Sequence, residues 1–166
     1  MADSANKIEI MDATDYKIVR ALQENARLTI QELSERVALS PSPCLRRLRR
    51  LEKQGVLRGY TALVDHEQYG LPVTVFLEVR LEQQTDATIR AFEAGVQKLD
   101  EVLACYLMAG SRDYLMQVVT GSLKDYERFI RDKLTKIPGI GSLESHFAFG
   151  QVKNHPVLPD VSRSSA

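Results

Sequence analysis

Several things are scarce in this chain of 166 residues. It has two cysteines, Cys44 and Cys105, far apart and with no CxxC spacing. That excludes a disulfide framework or a zinc ribbon and predicts reduced, buried thiols. The histidines, His66, His146 and His155, are scattered and form no metal pair. No phosphate-cradling glycine motif is present, because Gly110 and Gly121 fit no nucleotide fingerprint. No serine stands in a nucleophile elbow. Long apolar runs are missing too: Val102 to Gly110 falls far short of the ~20 residues a membrane helix needs. The N-terminus, with Asp3, Lys7 and Glu9, lacks the apolar core of a signal segment. The expectation is a cytoplasmic protein away from membranes, with no cofactor, no metal ligands and no catalytic residues.

The formal charge is zero, but it is unevenly spread. Residues up to Val64 hold eleven Lys/Arg against eight Asp/Glu, and the rest holds eleven against fourteen. The basic surplus is concentrated in Ser40-Pro41-Ser42-Pro43-Cys44-Leu45-Arg46-Arg47-Leu48-Arg49-Arg50-Leu51-Glu52-Lys53-Gln54-Gly55. Ser40 suits an N-cap, Pro41 the first helical position and Gly55 a C-terminal stop. At ~100° per residue, Cys44, Leu48 and Leu51 share one face. Ser42, Arg46, Arg49, Arg50 and Lys53 fall opposite, with Arg47 at the edge. A solvated helix usually mixes acids with bases. Here Glu52 is the single acid, so the basic face points to a polyanion such as nucleic acid.

What precedes this helix supports that reading. Asp12 caps a first helix whose inner face is Ile18, Val19, Ala21 and Leu22, and Asp12 and Asp15 read as dipole-stabilising caps rather than catalytic carboxylates. Thr29-Ile30-Gln31-Glu32 matches a capping box that opens a second, short helix. A short helix, a tight turn and a longer basic helix form the helix-turn-helix pattern, whose second helix enters the major groove of duplex DNA. After Gly55, the apolar and β-prone residues flanking Arg58-Gly59 predict a small hairpin wing. Ser40, Ser42, Arg46, Arg47 and Arg50 are expected at the groove, with Arg49, Lys53 and Arg58 on phosphate.

The expected organisation is a DNA-binding domain at 11–64, a hinge at 65–71, a second domain at 72–153 and a tail at 154–166. The second domain alternates in type. Strands are predicted at Val73–Leu81, Val102–Met108, Tyr114–Thr120 and Leu143–Phe149, with helices capped by Thr85 or Asp86 and by Ser122. The order βαββαβ is a ferredoxin-like split unit, so the fold class is α+β. Val152 to Leu158 could pair along an edge. The turn Gly110-Ser111-Arg112-Asp113 gathers a base, an acid and backbone donors, the set that an α-amino acid requires. It also reads as an ordinary polar hairpin turn.

The runs Leu33 to Leu48, Leu51 to Leu57 and Gly59 to Leu63, with Gly110 to Leu115, resemble the Lrp/AsnC family, the leucine- and asparagine-responsive regulators. The likeness spans about Met11 to Lys153. It implies a winged helix-turn-helix joined to a RAM/ACT-like βαββαβ domain, in a transcriptional regulator associated with the nucleoid. It implies a homodimer that assembles further, commonly to an octamer, and an amino-acid effector held between dimers. By that likeness Asp113 would hold the ammonium group, and the backbone at Gly110, Ser111 and Arg112 the carboxylate. Tyr114 adjoins them, and Leu107, Leu123 and the strand around Phe147 would border the side-chain pocket. An architectural protein that wraps DNA without an effector is the first competing class, and an amino-acid-processing enzyme with an accessory DNA domain the second.

Overall fold

A computed structural model describes residues 11–155 and 157–159, so the expected N-terminal arm and the end of the tail lie outside the described residues. The chain divides into two compact units, the first running to Leu63 and the second covering Val64–Val152.

The first unit opens with α1 (Ala13–Glu24), whose cap is reciprocal: Asp12 accepts from the Asp15 amide, and Asp15 from the Asp12 amide. Next comes α2 (Ile30–Arg36), with Thr29 and Glu32 forming the expected capping box. The amide of Leu39 then donates to Ser34 O and that of Ala38 to Glu35 O. These are the two bonds of a Schellman stop, with Ala38 in the left-handed region at φ 57° where glycine is usual. That turn delivers the chain to α3 (Pro41–Lys53). Ile18, Ala21, Leu22, Leu33, Val37, Cys44, Leu48 and Leu51 form the buried core. Beyond α3 the expected hairpin is not formed: 56–64 contains no strand. A two-stranded ribbon with nothing packed on it is marginal. Instead the chain leaves the helix through bonds from Val56 and Leu57 amides to Leu51 O.

The second unit runs β1 (Val73–Leu81), α4 (Asp86–Val96), β2 (Val102–Leu107), β3 (Tyr114–Thr120), α5 (Leu123–Asp132), a 3₁₀ turn at Leu134–Lys136 and β4 (Ile140–Phe147). The strands form one antiparallel sheet in the order β2-β3-β1-β4. Alternation in β1 buries Val75, Leu77, Val79 and Leu81 with Phe92 and Val96 of α4 and Tyr126 and Phe129 of α5. The other face lacks helices and carries Phe76, Glu78 and Arg80 of β1 with their neighbours His146, Glu144 and Ser142 of β4.

β4 begins three residues earlier than expected. Gly139 (φ 88°) turns the chain straight into it, and a Cβ there would lie 2.3 Å from Thr88 Cγ2. The described residues of 152–158 form no strand, so the expected edge pairing is absent. Cys44 is buried, but Cys105 is exposed on the edge strand β2, against expectation. Among the described residues no helix is long and apolar enough to cross a membrane.

Candidate nucleic-acid interface and effector loop

α3 has its apolar face in the core and its basic face outward, but the arginines divide into two groups. Ser42, Arg46, Arg49 and Lys53 are exposed; at ~100° per residue they occupy an arc of ~60°. Ser40 is exposed at the N-cap, yet its hydroxyl makes no capping bond. The reason is in the sequence: Pro41 and Pro43 have no amide hydrogen, so two of the donors at this terminus are missing. Only the Ser42 amide is left among the first three helical positions, and Ser40 stands with Ser42 at the end of the exposed stripe. Arg58 is exposed in the extended stretch after α3.

Arg47 and Arg50, expected at the groove, are engaged within the chain. They fall on the flank between the basic stripe and the core, within reach of the acidic start of α1. Arg47 Nη1 donates to Asp12 Oδ2 at 2.6 Å and to Asp15 Oδ1 at 2.9 Å, and Arg50 Nη2 donates to Asp15 Oδ2 at 2.5 Å. The Asp15 side chain is 1% exposed. The Asp15 amide and the Arg47 guanidinium hold Asp12 below the usual carboxylate range, and Asp12 with Asp15 raises the Arg47 guanidinium in return. Asp15 was legible as a cap. Its role as a buried ion-pair partner was not, although acids at 12 and 15 and bases at 47 and 50 were the available signal.

The turn between β2 and β3 is also partly committed. Asp113 Oδ2 accepts from the Leu81 amide at 2.7 Å and Oδ1 from Gln84 Nε2 at 2.6 Å, while its own amide donates to Val79 O. Arg112 reaches onto the open sheet face, where Nε donates to Glu78 Oε2 at 3.2 Å and Nη2 to Glu144. The base and acid expected to receive an amino acid are therefore paired within the chain, because β1 and β4 offer nearer partners. Asp113 retains unused acceptor positions, since a carboxylate offers about four. Glu78, Glu144 and His146 bring ligand atoms within 4.8 Å of one another, but the Arg112 guanidinium already pairs with both carboxylates. Behind the turn, Tyr114 is buried against Phe92 and donates to Glu93 Oε1 at 3.0 Å. Desolvation first, then Glu93, pushes its hydroxyl up to about 12.

The remaining pocket residues do not join this turn. Leu107 pairs with Tyr114, which pairs with Val79. Phe147 pairs with Val75 and packs on Tyr126 of α5, the helix that Leu123 begins. Four residues of β1, roughly 13 Å of strand, separate the two groups. Leu107, Leu123 and Phe147 are 72%, 63% and 45% exposed, so each group presents uncovered apolar surface. A shallow depression of about 500 Å³ lies near the Asp113 end, lined by Arg80, Leu81, Glu82, Gln84, Gly141 and Ser142; it includes none of the expected pocket residues.

Because Asp113 caps the amide of Leu81, a residue only 5% exposed, Asp113→Ala leaves a buried donor unsatisfied at a cost of about 1–3 kcal/mol. The expected result is a melting temperature several degrees lower, with Asp113→Asn, which keeps an acceptor, closer to the parent. Equal melting temperatures for the Ala variant and the parent would contradict this role.

Residues 74–158 match the model of the Lrp/AsnC ligand binding domain, and residues 11–58 match a winged helix-turn-helix DNA-binding model. The chain is 36% identical over 143 residues to the leucine-responsive regulatory protein of Salmonella typhimurium, covering 86% of this chain and 87% of that protein. It is 39% identical over 142 residues to the Bkd operon transcriptional regulator of Pseudomonas aeruginosa, covering 86% and 93%. Among solved structures, a transcriptional regulator from Neisseria meningitidis in complex with L-Met superposes with TM-score 0.84 at 41% identity, covering 90% of this chain and 97% of that one.

Proposed function

The chain belongs to the Lrp/AsnC family, and on that premise we propose how its two halves do the work of a DNA-binding transcriptional regulator that responds to an amino acid. The observation that carries the reading is the exposed stripe Ser42, Arg46, Arg49 and Lys53 on a helix whose opposite face is locked into the core. Arg46 and Arg49 read base edges in the major groove, where a guanidinium bonds guanine with two hydrogen bonds. Ser40, Ser42, Lys53 and Arg58 hold phosphates. Arg47 and Arg50 serve α3 from behind.

The βαββαβ unit carries the effector response and the assembly. Its helix-free sheet face, with Phe76 and Tyr106 exposed, suits a second copy, because one self-complementary face makes a two-fold dimer. The effector is an amino acid whose carboxylate meets the backbone at Gly110 to Arg112 and whose ammonium meets Asp113. Its side chain reaches Leu123 and Phe147 of another subunit, since one chain keeps the two groups apart. Contacts between one end of the sheet and the other end of a neighbour are heterologous and close into rings, which fits dimers assembling to an octamer. The setting is the cytoplasm, at the nucleoid.

The test is selection of a binding site from a random duplex pool, followed by titration at several salt concentrations with and without each of the twenty amino acids. L-Met is the first probe, because the Neisseria meningitidis relative was solved with it. The expected result is affinity that falls steeply with salt and shifts with at least one amino acid, because a ligand that favours one state must move the equilibrium. Uniform affinity for all sequences and no amino-acid response would instead indicate an architectural wrapping protein.

A further inference from the structure

We propose that Asp15 is a positioning residue for DNA recognition: by holding Arg47 and Arg50, it decides which arginines of α3 reach the duplex. The inference rests on the DNA-binding reading above and deepens it.

α3 carries Arg46, Arg47, Arg49, Arg50 and Lys53 in eight consecutive residues. Left to themselves, all five would be drawn to phosphate, which attracts cations with little regard to sequence. The apolar stripe of Cys44, Leu48 and Leu51 seats α3 in the core. Asp15 supplies a second constraint. Its buried carboxylate bonds Arg47 Nη1, Arg50 Nη2 and the Asp12 amide, and the other half of the capping box ties it to the first turn of α1. The two arginines lie one turn apart on α3, so both anchor points bear on the same flank and oppose rotation about the axis. Two guanidiniums are also neutralised. What remains facing outward is the narrow arc of Ser42, Arg46, Arg49 and Lys53.

Asp12 works at the rim of the same cluster. Its carboxylate is 51% exposed and bonds Arg47 as well. Asp15 is thus the inner lock on both arginines and Asp12 an outer lock on Arg47.

The consequence is unusual for removal of a buried ion-pair partner. Asp15→Asn, nearly isosteric, removes the buried negative charge that holds both guanidiniums and leaves Asp12 on Arg47. Binding to an arbitrary duplex should strengthen and its salt dependence steepen, by about 0.9 in the slope of log affinity against log salt for each phosphate gained. At the same time the ratio of affinities for the selected and an arbitrary duplex should fall, because the uncompensated positive charge attracts phosphate without reading bases. A residue that merely supported the fold would lower both affinities together and leave the slope alone.

The experiment measures affinity of the full chain for both duplexes across a fourfold range of salt, for the parent, Asp15→Asn and Asp12→Asn. Asn still serves as an N-cap at position 12, so that variant carries the test through Arg47 should Asp15→Asn fail to fold by circular dichroism. The expected result is a steeper slope and a smaller ratio, with the larger change in Asp15→Asn. A slope that does not steepen, or a ratio that stays at the parent's value in every folded variant, overturns the proposal. A parent chain that binds no duplex in a salt-dependent way would sink the DNA-binding reading itself, an outcome distinct from either.

Discussion

Arg46→Ala and Arg49→Ala should each cut affinity for a selected duplex by about 5- to 150-fold, which corresponds to the 1–3 kcal/mol that a two-bond contact to a base edge contributes to discrimination. Their affinity for an arbitrary duplex should fall only by the share of one lost cation, and their melting temperatures should stay at the parent's value. Both side chains are exposed, so neither truncation opens a cavity or strands a partner. Arg47→Ala should behave in the opposite way. It leaves Asp15 almost wholly buried with Arg50 as its one guanidinium, at a cost of roughly 2–3 kcal/mol; this sits at the low end for a broken buried pair because Arg47 itself is partly solvated. Arg47→Ala should therefore lower the melting temperature clearly. Fluorescence anisotropy on the two duplexes at fixed salt, beside thermal unfolding of the same samples, separates the groups. Should Arg46→Ala and Arg49→Ala weaken both duplexes equally, or should Arg47→Ala alone lose discrimination at full stability, the assignment of readers and supports would be reversed.

That division of the arginines marks where reading the sequence stops. Caps, stops and alternation are local signals, and they placed the elements well. Thr29 and Glu32 are three residues apart, Pro41 and Gly55 bracket one helix, and the β1 and β3 boundaries follow from period-two alternation between turn residues. What was not legible is where a side chain takes a distant partner. Asp15 meets Arg47 and Arg50 across 32 and 35 residues, and Arg112 and Asp113 meet Glu78 and Leu81 across 34 and 32. A basic helix and a polar turn look available when read alone. Each becomes partly occupied when folding brings an acid or a bare amide beside it, because an unpaired buried group costs more than an exposed one gains. In the stretch after α3 a local hairpin pattern forms no strand over 56–64, because a lone two-stranded ribbon is marginal. The pocket residues illustrate a third limit. Resemblance gathered Asp113, Leu123 and Phe147 into one site between dimers, and the strand register sets Phe147 at the opposite end of β1 from the partner of Tyr114, the residue next to Asp113.

That separation leads to the second large effect, a response that two defective chains regain together. Ser111→Glu places a negative charge on the exposed turn where the effector's carboxylate is to sit. Leu123→Glu places one at the first position of α5, where an acid is compatible with the helix dipole and the parent residue is largely exposed. Neither should unfold the unit, and each by itself should abolish the amino-acid-dependent change in DNA affinity or melting temperature. If a site is built from the turn of one subunit and the α5–β4 end of another, co-assembled chains contain some contacts in which both contributing ends are unaltered. With random mixing of a heterologous contact, this holds for about a quarter of the sites. Chains co-expressed under two tags and purified through both should therefore regain a fractional response that neither parent variant shows. A site complete within one chain predicts no recovery at any mixing ratio, because every subunit would carry one damaged end of its own pocket. Retention of a full response by either single variant would remove that end from the site altogether.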